Sequence, residues 1–231
     1  MHIFNILTLF PEFFKSPLDV SILKRAIENK IIKVNVLDIR EYSLDKHRKC
    51  DDYPYGGGDG MVMTPQPIYD AVRSIKKKYQ TAKTIVFSAK GKPLSQEFIK
   101  EIKNFRRFIL IAGHYEGIDE RIIDHYADYE VSIGDYILTG GEYGALIFID
   151  ALTRLLNGAL LNQNSIKEES FEDNLLEYDQ FTRPRIFRGY SVPEVLLSGD
   201  HAKIKKWRFE NRIKNTKKNR LDLFLKRSHE K

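Results

Sequence analysis

One stretch constrains this chain more than any other: Ser132-Ile133-Gly134-Asp135-Tyr136-Ile137-Leu138-Thr139-Gly140-Gly141-Glu142. The apolar-alternating run at residues 129–133 reads as a strand leading into it, and the apolar run at 143–156 reads as a buried helix leaving it. Three glycines between them let a ligand approach the backbone, and Gly140 is expected to use the positive φ open to glycine. A loop at the carboxyl end of a strand is where open α/β sheets bind ligands. This one carries Asp135 and Glu142 and no Lys or Arg, so a neutral or cationic ligand suits it better than a polyphosphate. A plain strand-to-helix turn is the competing reading.

Two further runs bear on that choice. Phe108-Ile109-Leu110-Ile111-Ala112 is apolar throughout, as a central parallel strand should be, and ends in Gly113-His114-Tyr115-Glu116-Gly117. Thr84-Ile85-Val86-Phe87-Ser88 is similar and ends in Ala89-Lys90-Gly91. If the three strands are parallel neighbours, their loops share one edge and form a backbone-lined cleft holding Glu116 and Asp135. That cleft is expected to lack the basic side chains of a polyphosphate site.

The rest of the chain alternates in the same way. Strands are expected at residues 3–10 and 31–37, and helices at 21–30, 65–78, 95–104 and 119–126. Thr64 stands at a capping position before Pro65, and Ser95 caps its helix. Alternation of this kind predicts an α/β fold, a parallel sheet with helical crossovers. Residues 41–60 interrupt it as a long polar loop whose Gly56-Gly57-Gly58 would serve equally as a nucleotide cradle or a flexible turn. Residues 162–179 are acidic and read as an interdomain linker or a solvated loop. Asp200 then caps a helix in which Lys203, Lys205, Lys206 and Arg208 interleave with Ile204, Trp207 and Phe209, and a last helix is expected at 220–227. The expected layout is an α/β domain at 1–160, a linker at 161–173, and a small all-helical domain at 174–231.

Charge separates these parts. Residues 201–231 carry twelve Lys or Arg against Glu210, Asp222 and Glu230, a net of +9; the first 200 carry twenty-six basic and twenty-nine acidic residues, a net of −3. A basic segment so concentrated points to a polyanion, with nucleic acid first, unless it is simply a solvated tail. The lone Cys50 rules out an internal disulfide or a multi-cysteine zinc site. No run approaches the ~20 apolar residues of a membrane span, and the start lacks a basic signal region, so a cytoplasmic protein is expected.

Several of these segments carry a family resemblance. Gly113-His114-Tyr115-Glu116-Gly117-Ile118-Asp119-Glu120-Arg121 and the 132–142 loop closely resemble the bacterial tRNA (guanine-37-N1)-methyltransferases, of the trefoil-knotted SPOUT class. So do Asp51-Asp52-Tyr53-Pro54-Tyr55-Gly56-Gly57-Gly58, Thr182-Arg183-Pro184 and Val195-Leu196-Leu197-Ser198-Gly199-Asp200-His201. The resemblance implies a deep trefoil knot, an obligate homodimer with its active site between subunits, and S-adenosylmethionine as methyl donor, with magnesium as a possible accessory. It implies methyl transfer to N1 of the guanine just 3′ of the tRNA anticodon. A knotted enzyme with another target nucleoside, or a non-catalytic RNA-binding protein, remains the alternative.

Residue by residue, the resemblance places the donor on Val86, Phe87 and Ser88; on Gly113, Tyr115, Glu116 and Gly117; and on Ser132, Ile133, Gly134, Asp135, Tyr136, Ile137, Leu138, Thr139, Gly140 and Gly141. It places tRNA on Gly57, Gly58 and Asp59 and on Arg183, and the concentrated charge of the C-terminal helix adds Lys203, Lys206 and Arg208. Arg154 matches the family's catalytic arginine, although spacing alone reads it as an i,i+4 partner of Asp150. The family's proposed base is the Asp of an Asp-Ser-Phe motif. Here the motif is Glu169-Ser170-Phe171, one methylene longer, with Glu168, Glu172 and Asp173 as substitutes. His114 replaces a usual Arg, Asp59 a common Pro, and Gly144 a frequent Pro whose loss is expected to cost only flexibility. No catalytic role is expected for His114, a lone histidine being more often structural.

Overall fold

The computed structural model describes residues 1–160 and 169–229, which divide into two units, Met1–Leu161 and Asn162–Lys231. The first unit runs β1 (His2–Thr8), α1 (Lys15–Leu18), α2 (Ser21–Glu28), β2 (Ile32–Asp38), β3 (Asp51–Asp52), β4 (Val62–Met63) and α3 (Pro65–Lys78). It continues with β5 (Lys83–Pro93), α4 (Gln96–Ile102), β6 (Arg107–Ala112), α5 (Glu120–Tyr126), β7 (Tyr129–Ser132) and α6 (Glu142–Arg154).

Five strands form one sheet in the order β2-β1-β6-β5-β7, every pair parallel. The expected α/β architecture with helical crossovers is therefore present, and β6, β5 and β7 are neighbours. Helices cover both faces, which explains why β6 alternates nothing: Phe108 and Leu110 enter one core with Phe4, Ile85, Phe148 and Leu152, while Ile109 and Ile111 enter the other with Met63, Ile68, Val72 and Ile122. Cys50 is buried in the second core and behaves as a small apolar side chain, burial pushing its thiol up. No helix among the described residues is long and apolar enough to cross a membrane.

Local signals set the helix starts. The Ser95 hydroxyl accepts the Phe98 N–H at 3.1 Å, and Asp119 accepts from Arg121 at 3.0 Å. Thr64 makes no such bond; Pro67, at the third helical position where such a cap donor usually stands, has no N–H, and Pro65 already fixes φ for the turn. Two segments hold more strand than expected. β5 continues to Pro93 through an irregularity in which Val131 pairs with both Phe87 and Lys92, so residues 88–91 loop out of a continuing strand. Within 41–60 a two-residue strand, β3, pairs antiparallel with β4.

The second unit is not all helical. A hairpin of β8 (Ile186–Phe187) and β9 (Tyr190–Ser191) precedes α7 (Glu194–Leu197), α8 (His201–Asn219) and α9 (Leu221–His229). Its turn is Arg188-Gly189, both at positive φ (49° and 86°), the conformation that matches the twist of a two-residue hairpin. Asp200 caps α8 by accepting the Ala202 and Lys203 N–H groups at 3.1 Å each. One face of α8 holds the 175–180 segment through polar pins: Asn211 accepts the Asp179 N–H at 2.7 Å and donates to its carboxylate at 2.9 Å, and Thr216 accepts the Leu176 N–H at 2.9 Å. Asn211 and Asn215 together hold the Asp179 carboxyl below its ordinary range.

Candidate active site

The carboxyl ends of β5, β6 and β7 open into a cleft of about 420 Å³. That is the size of a small-molecule site, ~300–1,000 Å³. Its walls are the three loops at residues 88–90, 113–118 and 132–141, closed from below by Val86, Phe87 and Val131 of the sheet and from the side by Val62 of β4. Every residue assigned to the donor from sequence lines it except Asp135, which is exposed and outside the walls. Gly134, at φ 148°, lets the ring of Tyr136 fold back over it, and the Tyr136 hydroxyl donates to the Ile133 carbonyl at 2.9 Å. That turn puts Tyr136 in the wall and leaves Asp135 in solvent.

The loops are laced to one another. Gly141 donates its N–H to the Gly113 carbonyl at 2.8 Å, and His114 bridges Gly140. Met63 donates to Gly117 at 2.9 Å and Glu116 to Met61 at 3.0 Å, so β4 backs the 113–117 loop. Tyr115 sits at φ 59° and Gly117 at φ 133° within that loop. Burial raises the Tyr115 hydroxyl, with the Asp51 carboxylate acting in the same direction.

The glycines matter for a reason other than the one expected. Gly140 does not use positive φ; a Cβ there would stand 2.7 Å from His114 Nδ1 and 3.2 Å from the Gly113 carbonyl oxygen. Gly141 leaves no room either, its Cβ falling 2.8 Å from Ala112 Cα. Gly144 packs on Phe87, whose ring a Cβ would meet at 2.7 Å, so its role is close helix-to-strand approach rather than flexibility alone. At these three positions steric need, against backbone at Gly141 and mainly against side chains at Gly140 and Gly144, replaces conformational need as the explanation.

Some of the lining is not legible in the sequence. Val62 comes from a strand too short for periodicity to reveal, and His114, expected to be structural only, stands in the wall. Lys90 also lines the cleft, contrary to the expectation of a wall without basic side chains; its ammonium pairs with Glu120 at 2.5 Å, which raises its pKa. That pairing neutralises Lys90 and leaves the carboxylate of Glu116, so the wall is still unlike a polyphosphate site.

The remaining expected residues lie elsewhere. Arg154 ends α6, half-buried, one turn after Asp150, whose carboxyl reaches solvent yet is raised by lost solvation, Arg154 opposing. Glu169 is half-buried in the second unit; next to it, the Ser170 hydroxyl accepts the Glu177 N–H at 3.0 Å, and Phe171 donates to the Leu175 carbonyl at 2.8 Å. Asp173 is exposed at φ 52°, while Glu168 and the side chain of Glu172 lie outside the described residues. Gly57 stands at φ 80° in open space and Gly58 at φ 125° against the Pro54 ring, beside exposed Asp59. Arg183, Lys203 and Lys206 are exposed, and the guanidinium of Arg208 lies 4.6 Å over the Tyr178 ring.

Comparison with known proteins agrees along the whole chain. The family model described as tRNA (Guanine-1)-methyltransferase TrmD matches residues 1–226. A protein of Clostridioides difficile (strain 630) named tRNA (guanine-N(1)-)-methyltransferase is 54% identical over 230 residues, 99% of each chain. One of the same name from Caldanaerobacter subterraneus subsp. tengcongensis is 53% identical over 226 residues, 97% of this chain and 92% of its own. A third, from Endomicrobium trichonymphae, is 48% identical over 231 residues, 96% of this chain and 99% of its own. With a family match across nearly all residues and relatives of similar length at about half identity, this chain belongs to the tRNA (guanine-1)-methyltransferase family.

Proposed function

We propose that the protein transfers a methyl group from S-adenosylmethionine to N1 of guanine in tRNA, at position 37 beside the anticodon. The observation that carries this reading is the cleft at the ends of β5, β6 and β7 in a chain of this family. Its size and its backbone-rich walls fit an adenosyl ligand recognised through peptide groups, and its slightly acidic lining, Lys90 against Glu116 and Glu120, fits a sulfonium cation better than a phosphate chain. The same reading includes a deep trefoil knot in the stretch that builds the cleft.

S-adenosylmethionine supplies an electrophilic methyl group. The chain must supply the rest. Guanine N1 carries a proton that must leave, and a carboxylate within ~2.6–3.2 Å of it, or one water away, is a competent base. Glu169 takes that role here. Negative charge then gathers at O6, and a guanidinium stabilises it; Arg154 takes that role. Among the described residues no three His, Cys, Asp or Glu side chains gather as metal ligands.

The reading extends to a homodimer in which Glu169 of one subunit serves the donor cleft of the other. Ile137 is 84% exposed, and Tyr136, Tyr143 and Ile147 are also exposed, so the donor loop and the outer face of α6 present apolar surface of the kind that pairs. The basic α8 and α9 supply the attraction for tRNA phosphates, which position the substrate rather than specify it. Single-turnover methyl transfer to tRNA carrying G or A at position 37 tests the whole: transfer to G alone is expected, and transfer to neither, or equally to both, overturns it.

A further inference from the structure

We infer that Glu142 and His114 form a hydrogen-bonded pair beneath Gly140 that fastens the donor loop, with His114 donating from Nδ1 as a positioning residue. Glu142 opens α6 and is only 5% exposed. A carboxylate so buried needs donors. Its Oε1 accepts the Thr8 hydroxyl at 2.8 Å, from the end of β1. On the other side, His114 Nδ1 is buried and lacks a hydrogen-bond partner, a cost of ~1–3 kcal/mol if nothing answers it.

The unpartnered Nδ1 and the second carboxylate oxygen of Glu142 are neighbours. A Cβ built on Gly140 would stand 2.7 Å from His114 Nδ1 and closer still to Glu142 Oε2, so the two atoms lie less than twice 2.7 Å apart. The pair forms by turning the imidazole and the carboxylate toward one another. The place is significant: Gly140 bridges His114, and Gly141 donates to Gly113, so the pair sits where the 113–118 and 132–141 loops cross. His114 is otherwise held by the Phe10 ring at 4.8 Å and by its own N–H to Met63 Sδ at 3.2 Å. Donation from Nδ1 thus ties the end of β1, the start of α6 and both loops into one unit, and glycine at 140 is what admits the two side chains.

The inference rests on reading the cleft as the donor site, and its test separates the two. Long-range nitrogen–proton spectra of the full-length protein labelled at its six histidines report the tautomer, His114 being assigned by its loss in His114→Asn. A protonated Nδ1 is expected. Glu142→Gln, whose amide would donate in place of accepting, should strip that proton. Asn places its amide N–H where His has Nδ1, whereas Gln places it at Nε2. S-adenosylhomocysteine should therefore bind His114→Asn within about threefold of the parent and His114→Gln at least about tenfold more weakly, one lost bond of ~1.4 kcal/mol. The donor KM should follow that order with kcat little changed. A bare Nδ1 in the parent, a tautomer unmoved by Glu142→Gln, or equal affinities of the two His114 variants overturns the pair. A parent that binds no S-adenosylhomocysteine overturns the donor reading instead. Should one His114 variant not fold, the other assigns the signal, and the tautomer in the parent and in Glu142→Gln decides.

Discussion

Replacing Gly141 by alanine adds one methyl group at the most crowded backbone crossing of the cleft. Gly141 has φ −82° and ψ 0°, which alanine adopts without strain, so the effect is steric alone. The new Cβ would stand 2.8 Å from Ala112 Cα, 3.0 Å from the Gly113 nitrogen and 3.3 Å from the Ala112 carbonyl carbon. Carbon atoms settle at ~3.5–4.0 Å from one another, so β6 and α6 must part by roughly 0.7–1.2 Å. That movement stretches the 2.8 Å bond from Gly141 to the Gly113 carbonyl past ~3.5 Å and breaks it. Overpacking costs about 1–3 kcal/mol and the broken bond about 0.5–1.5, a stability loss of about 1.5–4.5 kcal/mol. Both displaced segments line the cleft. A ligand held through their peptide groups then forgoes one or two hydrogen bonds, roughly ten- to a hundredfold in Kd. Urea denaturation and calorimetry with S-adenosylhomocysteine measure the two effects on one preparation. Gly57→Ala is the contrasting variant, because Gly57 stands at φ 80° with nothing within 4 Å; it should lose about 1–2 kcal/mol and bind as the parent does. If Gly141→Ala is destabilised but binds within about threefold of the parent, the ligand does not use this crossing, and the reasoning from steric need to donor binding fails.

Other perturbations address the remaining chemistry. Glu169→Gln keeps the shape and removes the base, so single-turnover transfer should fall to near zero while donor and tRNA affinities hold; transfer at the parental rate would place the base elsewhere. Glu169→Asp should retain substantial activity, and Arg154→Ala should depress the chemical step by losing the partner of the charge on O6, a drop of at least about tenfold by rapid quench. Removing the exposed charges of Lys203 and Lys206 should weaken tRNA binding and lower the salt slope by roughly one unit for each phosphate no longer neutralised, leaving donor binding untouched; an unchanged slope places the RNA on another surface. Asp128 is held below its usual range although burial alone would raise it, because its carboxylate accepts from Lys83 Nζ and the Thr84 N–H at 2.8 Å each. A depressed folded pKa means stability that is present above the unfolded pKa and lost as pH falls through the folded one. Asp128→Asn should therefore cost about 1–3 kcal/mol at pH 7 and progressively less in acid, and a cost independent of pH would contradict this.

The order of elements is readable along the chain because its causes are local. Apolar periodicity places the strands, Ser95, Asp119 and Asp200 mark helix starts through side-chain oxygens within three residues, and the all-apolar 108–112 run requires burial on both faces. The three glycine-bearing loops can be assigned to one cleft for the same reason: parallel neighbours put their carboxyl ends on one edge. What the linear chain does not carry is distance between segments. The hairpin at 186–191 escapes because two-residue strands have no period. Residues 88–91 look like the end of a strand because a strand that bulges and resumes differs only in whom Val131 pairs with. Gly140 and Gly141 look like flexible positions. Only the tertiary structure shows that they are close-packed ones: apart from Glu142 Oε2 beside Gly140, the atoms nearest an added Cβ belong to Ala112, Gly113 and His114, more than twenty residues away. The bond of Thr8 to buried Glu142, and the burial of His114 Nδ1 close by, have the same origin: burial and pairing of polar groups are properties of the packed state, and no spacing along the chain encodes them.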